Sequence, residues 1–157
     1  MMLFRMTTMT AAYADQILLW SYEPPYDFYN SDQDEESRRE LLENSYYAIL
    51  DEEGQLYGFC CTGPSAQVPA GIPLGAYDED LLDFGLGMKP EFTGKGLGKE
   101  FLPFVLASIA ELHDHKPLRL TVAAFNQRAI RLYTGLGFTK VTSFDNRGTT
   151  FITMVQT

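Results

Sequence analysis

The sequence predicts an α/β sheet with helices on its faces, and three observations lead there. Short apolar runs of strand character alternate along the chain with segments of helical period. With 157 residues, 45% hydrophobic and 13% aromatic, the chain can bury a real core yet stays well short of the length, about 250 residues, at which chains divide. One domain over residues 1–157 is therefore expected. A cluster of glycines also sits where a strand gives way to a long apolar helix, the strand-to-helix junction of an α/β fold.

The elements follow in order. Residues 3–6 read as a short strand, and Thr10 then offers an N-cap to a helix over 11–20, with Tyr13, Ile17 and Trp20 on its inner face. Residues 21–31 carry Pro24-Pro25 and the rings Tyr22, Tyr26, Phe28 and Tyr29, which predict a loop or short helical turn. A helix fits 34–44. Strands at 46–50 and 56–61 flank the acidic turn Asp51-Glu52-Glu53-Gly54, a hairpin signal. Prolines and glycines make 62–77 a loop. A strand at 81–88 leads through Pro90 to a helix over 96–113, where Leu97, Phe101, Val105, Ile109 and Leu112 keep helical spacing and Pro103 predicts a kink near Lys99. Residues 118–122 read as a strand. Asn126 caps a helix that Gly135-Leu136-Gly137 ends, and strands at 140–144 and 149–155 flank a turn at 145–148.

Charge and cysteine content exclude several classes of function. The net charge of −9 argues against nucleic acid as a partner, since such binding neutralises phosphates with Lys and Arg. The charge is also polarised: residues 1–85 sum to −13 and residues 86–157 to +4. Two readings stand: an anionic ligand for the C-terminal half and a cationic one for the N-terminal half, or simply solvated acidic turns and helix starts. Cys60 and Cys61 are sequence neighbours, neither a disulfide framework nor spaced zinc ligands, and read as buried small hydrophobes. His113 and His115 lie two apart, a spacing that does not share a helix face, so no metal is expected. Apolar runs fall short of the roughly 20 residues a bilayer needs, and the start, MMLFRMTTMT, has no secretory apolar region. A cytoplasmic location without a membrane partner is expected.

The glycine cluster carries the chemistry. Thr93-Gly94-Lys95-Gly96-Leu97-Gly98-Lys99 aims unpaired backbone N–H groups and the positive end of a helix dipole at one spot, a place for a phosphate or diphosphate. A Walker loop would need Gly at position 93 and Ser or Thr at 100, where this chain has Thr93 and Glu100. That counts against a nucleotide hydrolase. A dinucleotide fingerprint needs two residues between its second and third glycines, whereas Gly94, Gly96 and Gly98 are evenly spaced.

The segment from Leu86, Gly87 and Met88 through Pro90 to Gly98 resembles the pyrophosphate motif of the GNAT superfamily of acyl-CoA N-acetyltransferases, usually written Q/R-x-x-G-x-G/A. About thirty residues on, Leu120 to Tyr133, with Gly135-Leu136-Gly137-Phe138, is similar to that family's second signature of strand, Asn, helix, Tyr and Gly-Phe. The nearest likeness is to small bacterial members related to ribosomal-protein alanine acetyltransferases. Thr93 departs from the motif by standing where Gln or Arg is usual, which removes side-chain help but leaves the backbone cradle.

The resemblance implies a mixed, mostly antiparallel sheet of about seven strands with helices on both faces and a splayed central strand pair. It implies direct acetyl transfer from acetyl-CoA to a primary amine of a small molecule or peptide N-terminus, with no metal. The diphosphate would sit on the amides of Thr93, Gly94, Lys95, Gly96, Leu97, Gly98 and Lys99, and the pantetheine arm would pair with the backbone of Leu86, Gly87 and Met88. Asn126, Ile130 and Tyr133, spaced i, i+4, i+7, would contact the donor. Tyr133 is the expected general acid, since a phenol near pKa 10 is protonated at neutral pH and can donate to a departing thiolate; a packing role is its alternative. Asp83 is the nearest candidate base, because Thr121 occupies the strand position where the alanine acetyltransferases carry glutamate. Trp20, Tyr22, Tyr26 and Tyr29, with Glu23 and Asp27 among them, are the candidate acceptor pocket, core packing being the other reading. A noncatalytic acyl-CoA-binding or regulatory module remains the alternative function. A homodimer would be in keeping with the family.

Overall fold

The computed structural model describes residues 3–156. Seven strands and four α-helices follow one another as β1 (Arg5–Thr8), α1 (Ala11–Leu18), α2 (Glu35–Glu43), β2 (Tyr46–Leu50), β3 (Leu56–Thr62), β4 (Leu82–Met88), α3 (Gly98–Leu112), β5 (Leu118–Ala123), α4 (Gln127–Gly135), β6 (Phe138–Asn146) and β7 (Thr149–Gln156). The strands are ordered β1-β2-β3-β4-β5-β7-β6. The sheet is mixed, because β4 and β5 pair in parallel while β1/β2, β2/β3, β5/β7 and β6/β7 are antiparallel. The predicted fold class is therefore observed.

Two compact units make up the chain. One takes the chain up to Cys61 together with Leu86–Ser108, and the other takes Thr62–Gly85 and the chain from Ile109 onward. β4 runs through both.

In the first unit, α1 and α2 start where short polar side chains accept from backbone N–H groups, Thr10 from Tyr13 and Asp34 from Ser37. Their apolar positions Ala14, Ile17, Leu18 and Leu41 join Ala48, Leu50 and Leu56 in one cluster. Phe4, Tyr57, Phe92 and Phe101 form a second, aromatic packing, with Tyr57 stacked on Phe92 at 4.3 Å between centroids. β3 and β4 approach closely at two glycines: a Cβ on Gly58 would stand 2.5 Å from the Gly87 carbonyl oxygen and 2.5 Å from the Phe101 ring. Only glycine fits there.

In the second unit, β5, β7 and β6 form an antiparallel ladder around Leu120, Val122, Ile152 and Met154. The β6–β7 hairpin closes on Arg147 and Gly148, both at positive φ (51° and 85°), the hand a two-residue turn takes between twisted strands.

Some boundaries differ from the sequence reading. The first strand lies two residues later, at Arg5–Thr8, and α1 stops at Leu18 instead of reaching Trp20. There the N–H groups of Leu19 and Trp20 turn to the carbonyls of Gln16 and Ile17, a tightened last turn. Residues 62–77 hold two 3-10 turns, Gly63–Ala66 and Pro69–Leu74. α3 begins at Gly98, not 96, because Gly96 sits at φ 76°, a left-handed conformation no right-handed helix can include. The helix continues unbroken through Pro103, which lies in its second turn. β6 starts at Phe138, earlier than 140.

Candidate active site

The glycine cluster lies in the first unit as an exposed turn between β4 and α3. Gly94 and Gly96 take φ of 72° and 76°, while Lys95 between them stays on the ordinary side. Alternating hands of this kind turn successive N–H groups toward one concavity, the geometry of an anion nest. Among the described residues, the amides of Gly94 to Gly98 make no backbone hydrogen bond of ordinary geometry. Nothing lies within 4 Å of where a Cβ on Gly96 would be, so the turn is open. Thr93 does not extend this cradle: its hydroxyl donates back to the Pro90 carbonyl at 2.7 Å. The donor set is main chain, with Lys95 and Lys99 exposed beside it, and it fits a diphosphate.

The end of β4 is the second part of the site in this unit. The Lys89 N–H donates to the Tyr57 carbonyl on β3 at 2.8 Å. A trans peptide sends its carbonyl the opposite way, so the Met88 carbonyl points away from β3. That carbonyl accepts from the Tyr22 hydroxyl at 2.8 Å. Burial pushes the Tyr22 phenol up to about 12, which keeps it a donor over the ordinary pH range.

The four predicted acceptor rings have different neighbours in the fold: Trp20 and Tyr22 are tied to the sheet, and Tyr26 and Tyr29 share a turn. Trp20 packs on the apolar cluster beside Phe59, at 6.0 Å between rings, and Tyr22 is turned to Met88. Tyr26 and Tyr29 lie in the 3-10 turn Tyr26–Tyr29, with Tyr29 edge-on to Phe28 at 5.2 Å. Beneath this connection is a cavity of about 450 Å³ that sequence reasoning missed. Ile17, Leu41 and Phe59 line its apolar part, and Asp32, Glu36 and Glu40 its charged part. Acidic residues on a helix beside an apolar stripe were visible in the sequence, but nothing there told a cavity rim from a solvated face. Tyr46 also lines it, its phenol pushed up by burial first and then by Cys61 and Glu40. Cys60 and Cys61 are buried thiols outside any disulfide, and burial raises the Cys60 thiol to about 12, in keeping with small core hydrophobes.

In the second unit, Asp83 is 3% exposed and closed in by partners. Its Oδ1 accepts from Arg119 Nε at 2.7 Å, and its Oδ2 from Arg119 Nη2 at 2.8 Å and Gln67 Nε2 at 2.9 Å. The Arg119 guanidinium is itself held above its usual range by Asp83, donates to the Glu79 carbonyl at 3.1 Å, and lies 5.1 Å from the centre of the Tyr77 ring. The Tyr77 hydroxyl in turn meets Thr121 Oγ1 at 2.8 Å and the Val68 N–H at 3.0 Å. This is a buried bidentate pair. It lies at two parallel rungs between β4 and β5, Leu82 with Leu118 and Asp83 with Arg119.

α4 carries the remaining predicted residues. Asn126 stands just before the helix as its N-cap, with Oδ1 accepting from Ala129 N–H at 3.2 Å. Ile130 and Tyr133 are half-buried, and the Tyr133 ring meets Phe138 edge-on at 6.0 Å. Among the described residues, no three His, Cys, Asp or Glu side chains gather to hold a metal.

A family model described as "Acetyltransferase (GNAT) family" matches residues 12–138. The chain belongs to the GNAT acetyltransferase family. The acetyl donor of GNAT enzymes is acetyl-CoA. Among relatives, a 5-NmdU N-acetyltransferase of Pseudomonas phage PaMx11 is 31% identical over 91 residues, 58% of this chain and 55% of that protein. A spermine/spermidine N(1)-acetyltransferase of Bacillus subtilis is 33% identical over 91 residues, 55% of this chain and 54% of that protein. The chain thus spans about half the length of the curated relatives it matches. Solved structures share the GNAT fold over almost the whole chain. A chimera built on the spermidine N-acetyltransferase of Vibrio cholerae has a TM-score of 0.69 at 20% identity, covering 98% of this chain and 94% of its own. An uncharacterized protein of Bacillus halodurans has a TM-score of 0.78 at 14% identity, covering 99% and 84%. No helix among the described residues is long and apolar enough to cross a membrane.

Proposed function

We propose that this GNAT chain is an N-acetyltransferase that moves the acetyl group of acetyl-CoA directly to a primary amine borne on a cationic, partly apolar acceptor. The observation that carries the reading is the open nest of main-chain N–H groups at Gly94 to Gly98, at the start of α3, which suits a diphosphate. Thr93 and Lys99 bound it, with Lys95 and Leu97 within it. The donor's amide arm would run from this nest along the backbone of Met88, Gly87 and Leu86, and Asn126, Ile130 and Tyr133 would contact the donor from α4.

In the transfer, the amine nitrogen attacks the thioester carbonyl carbon, the C–S bond breaks, and the sulfur takes a proton from the Tyr133 hydroxyl as it leaves. The nitrogen of the free amine loses one proton, which returns through solvent to the Tyr133 phenolate, so the reaction is proton-neutral overall. We assign that proton to water, not to Asp83, whose two oxygens are occupied by Arg119 and Gln67.

Two features support a cationic acceptor. The cavity of about 450 Å³ sets the carboxylates of Asp32, Glu36 and Glu40 beside the apolar Ile17, Leu41 and Phe59, a lining suited to an alkyl chain that ends in ammonium. One relative carries spermine and spermidine in its name. Tyr26 and Tyr29 remain on the acceptor side in this reading, while Trp20 packs on the apolar cluster beside Phe59.

The test is thiol release from acetyl-CoA with polyamines, peptide N-termini and amino sugars as acceptors at several pH values. We expect amine-dependent release, strongest with polyamines and rising with the free-amine fraction. CoA binding without release by any amine would replace this reading with a noncatalytic module.

A further inference from the structure

The Tyr22 hydroxyl reaches 66 residues along the sequence to the Met88 carbonyl, and the packing of a ring does not require that bond. Its own loop is tied down to make it: the Tyr22 N–H donates to Asn30 Oδ1 at 2.8 Å, and Asn30 Nδ2 reaches Ser21 Oγ at 3.5 Å. The connection between α1 and α2 is thus folded on Asn30 and pinned through one phenol to the end of β4.

The position of the acceptor gives the bond its meaning. Alternate residues of a strand present both their N–H and their C=O to the same edge. With the Met88 carbonyl facing away from β3, the Met88 N–H and the Leu86 N–H and C=O share that edge, and among the described residues parallel pairing with β5 is at Leu82 and Asp83. Met88 is also the β4 residue nearest in sequence to the nest at Gly94 to Gly98. An amide arm leaving a diphosphate held there meets the Met88 carbonyl before the Leu86 carbonyl.

We infer that Tyr22 is a positioning residue that sets the register of the donor's arm on β4: by occupying the Met88 carbonyl, it leaves the Leu86 carbonyl as the first acceptor on that edge. The inference rests on the proposed function, in which the arm runs along β4. The alternative register is one step off, two residues or about 7 Å along the strand. With the diphosphate fixed, that slip takes the thioester away from its reacting position. Tyr22 thereby excludes a competing mode of binding, one that is favoured once the Met88 carbonyl is free.

Nonproductive binding has a kinetic signature that loosened structure lacks: kcat and the donor KM fall together, so that kcat/KM is unchanged. In Tyr22→Phe, which keeps the ring, we expect kcat and the acetyl-CoA KM to drop together about ten-fold, kcat/KM to hold, and the Kd for CoA by calorimetry to fall with them. Asn30→Ala, which frees the main chain of Tyr22, should shift the same constants the same way. Measurements at least 15 °C below each variant's Tm remove any contribution from unfolding. A Tyr22→Phe protein with wild-type kcat overturns the inference and leaves the proposed function standing, as does one whose donor KM rises ten-fold at constant kcat. A wild-type protein that binds no CoA removes both.

Discussion

Replacing Asp83 by Asn separates two roles that a strand carboxylate in this fold can have. The pair Asp83–Arg119 has side chains 3% and 4% exposed, a bidentate geometry at 2.7 and 2.8 Å, and a third donor from Gln67. Breaking one partner of such a buried pair leaves an uncompensated charge and costs about 3–5 kcal/mol. In a chain of this size each kcal/mol lowers Tm by roughly 2–4 °C, so Asp83→Asn should melt about 6–20 °C below wild type. Arg119→Met strands the carboxylate instead and should lose a comparable amount. The double variant Asp83→Leu/Arg119→Met, with no charge left, should recover much of it. The assay is calorimetric or spectroscopic melting at pH 7, paired with turnover measured well below each Tm. A clamp predicts large Tm losses in both single variants and partial turnover in the cold. A base predicts a normal Tm and near-complete loss of turnover in Asp83→Asn alone, and that result would refute the reasoning.

Four further outcomes are expected. Tyr133→Phe should fold and bind CoA with unchanged Kd yet lose about 10²–10⁴ in kcat, the usual weight of a general acid; an unchanged rate removes the assignment. Gly96→Ala meets no atom but must hold an L residue at φ 76°, a strain of about 1–2 kcal/mol that falls on binding once the free turn relaxes, so CoA affinity by calorimetry should weaken roughly 5- to 30-fold with little change in Tm. Gly58→Ala places a Cβ 2.5 Å from the Gly87 carbonyl and should destabilise by about 1–3 kcal/mol, read as a lower urea midpoint with m unchanged. The Tyr22 phenol rises from 10.0 to about 12 on burial, so the fold favours its protonated form. Its contribution to stability is complete below pH 10 and lost as pH rises through 12, and Tyr22→Phe should flatten part of the alkaline fall in urea midpoint.

The fold was legible wherever period and turn chemistry were local. Thr10 and Asn126 announced two helix starts, and the hairpin after Leu50 lay in its acidic turn. The start of α3 was misplaced by two residues because glycine at 96 can be the first residue of a helix or the last of a left-handed turn. Composition does not distinguish these, and only φ does. The nest itself was readable for the same reason, since glycines at alternate positions before a helix have few other uses.

Long-range pairing was not readable in the same way, and Asp83 shows why. In Leu82-Asp83-Phe84 a lone carboxylate amid apolar neighbours is equally the mark of a tuned base and of one half of an ion pair. The deciding residue, Arg119, lies 36 positions on, and its own flanks, Leu118 and Leu120, pose the same question from the other strand. Two isolated opposite charges, each inside an apolar strand, could have been matched from the sequence, because neither can be buried alone. Tyr22 had no such signal. Its ring belonged with its aromatic neighbours by composition, and only the direction of one carbonyl at the end of β4 separates a hydroxyl that sets a register from one that meets an acceptor.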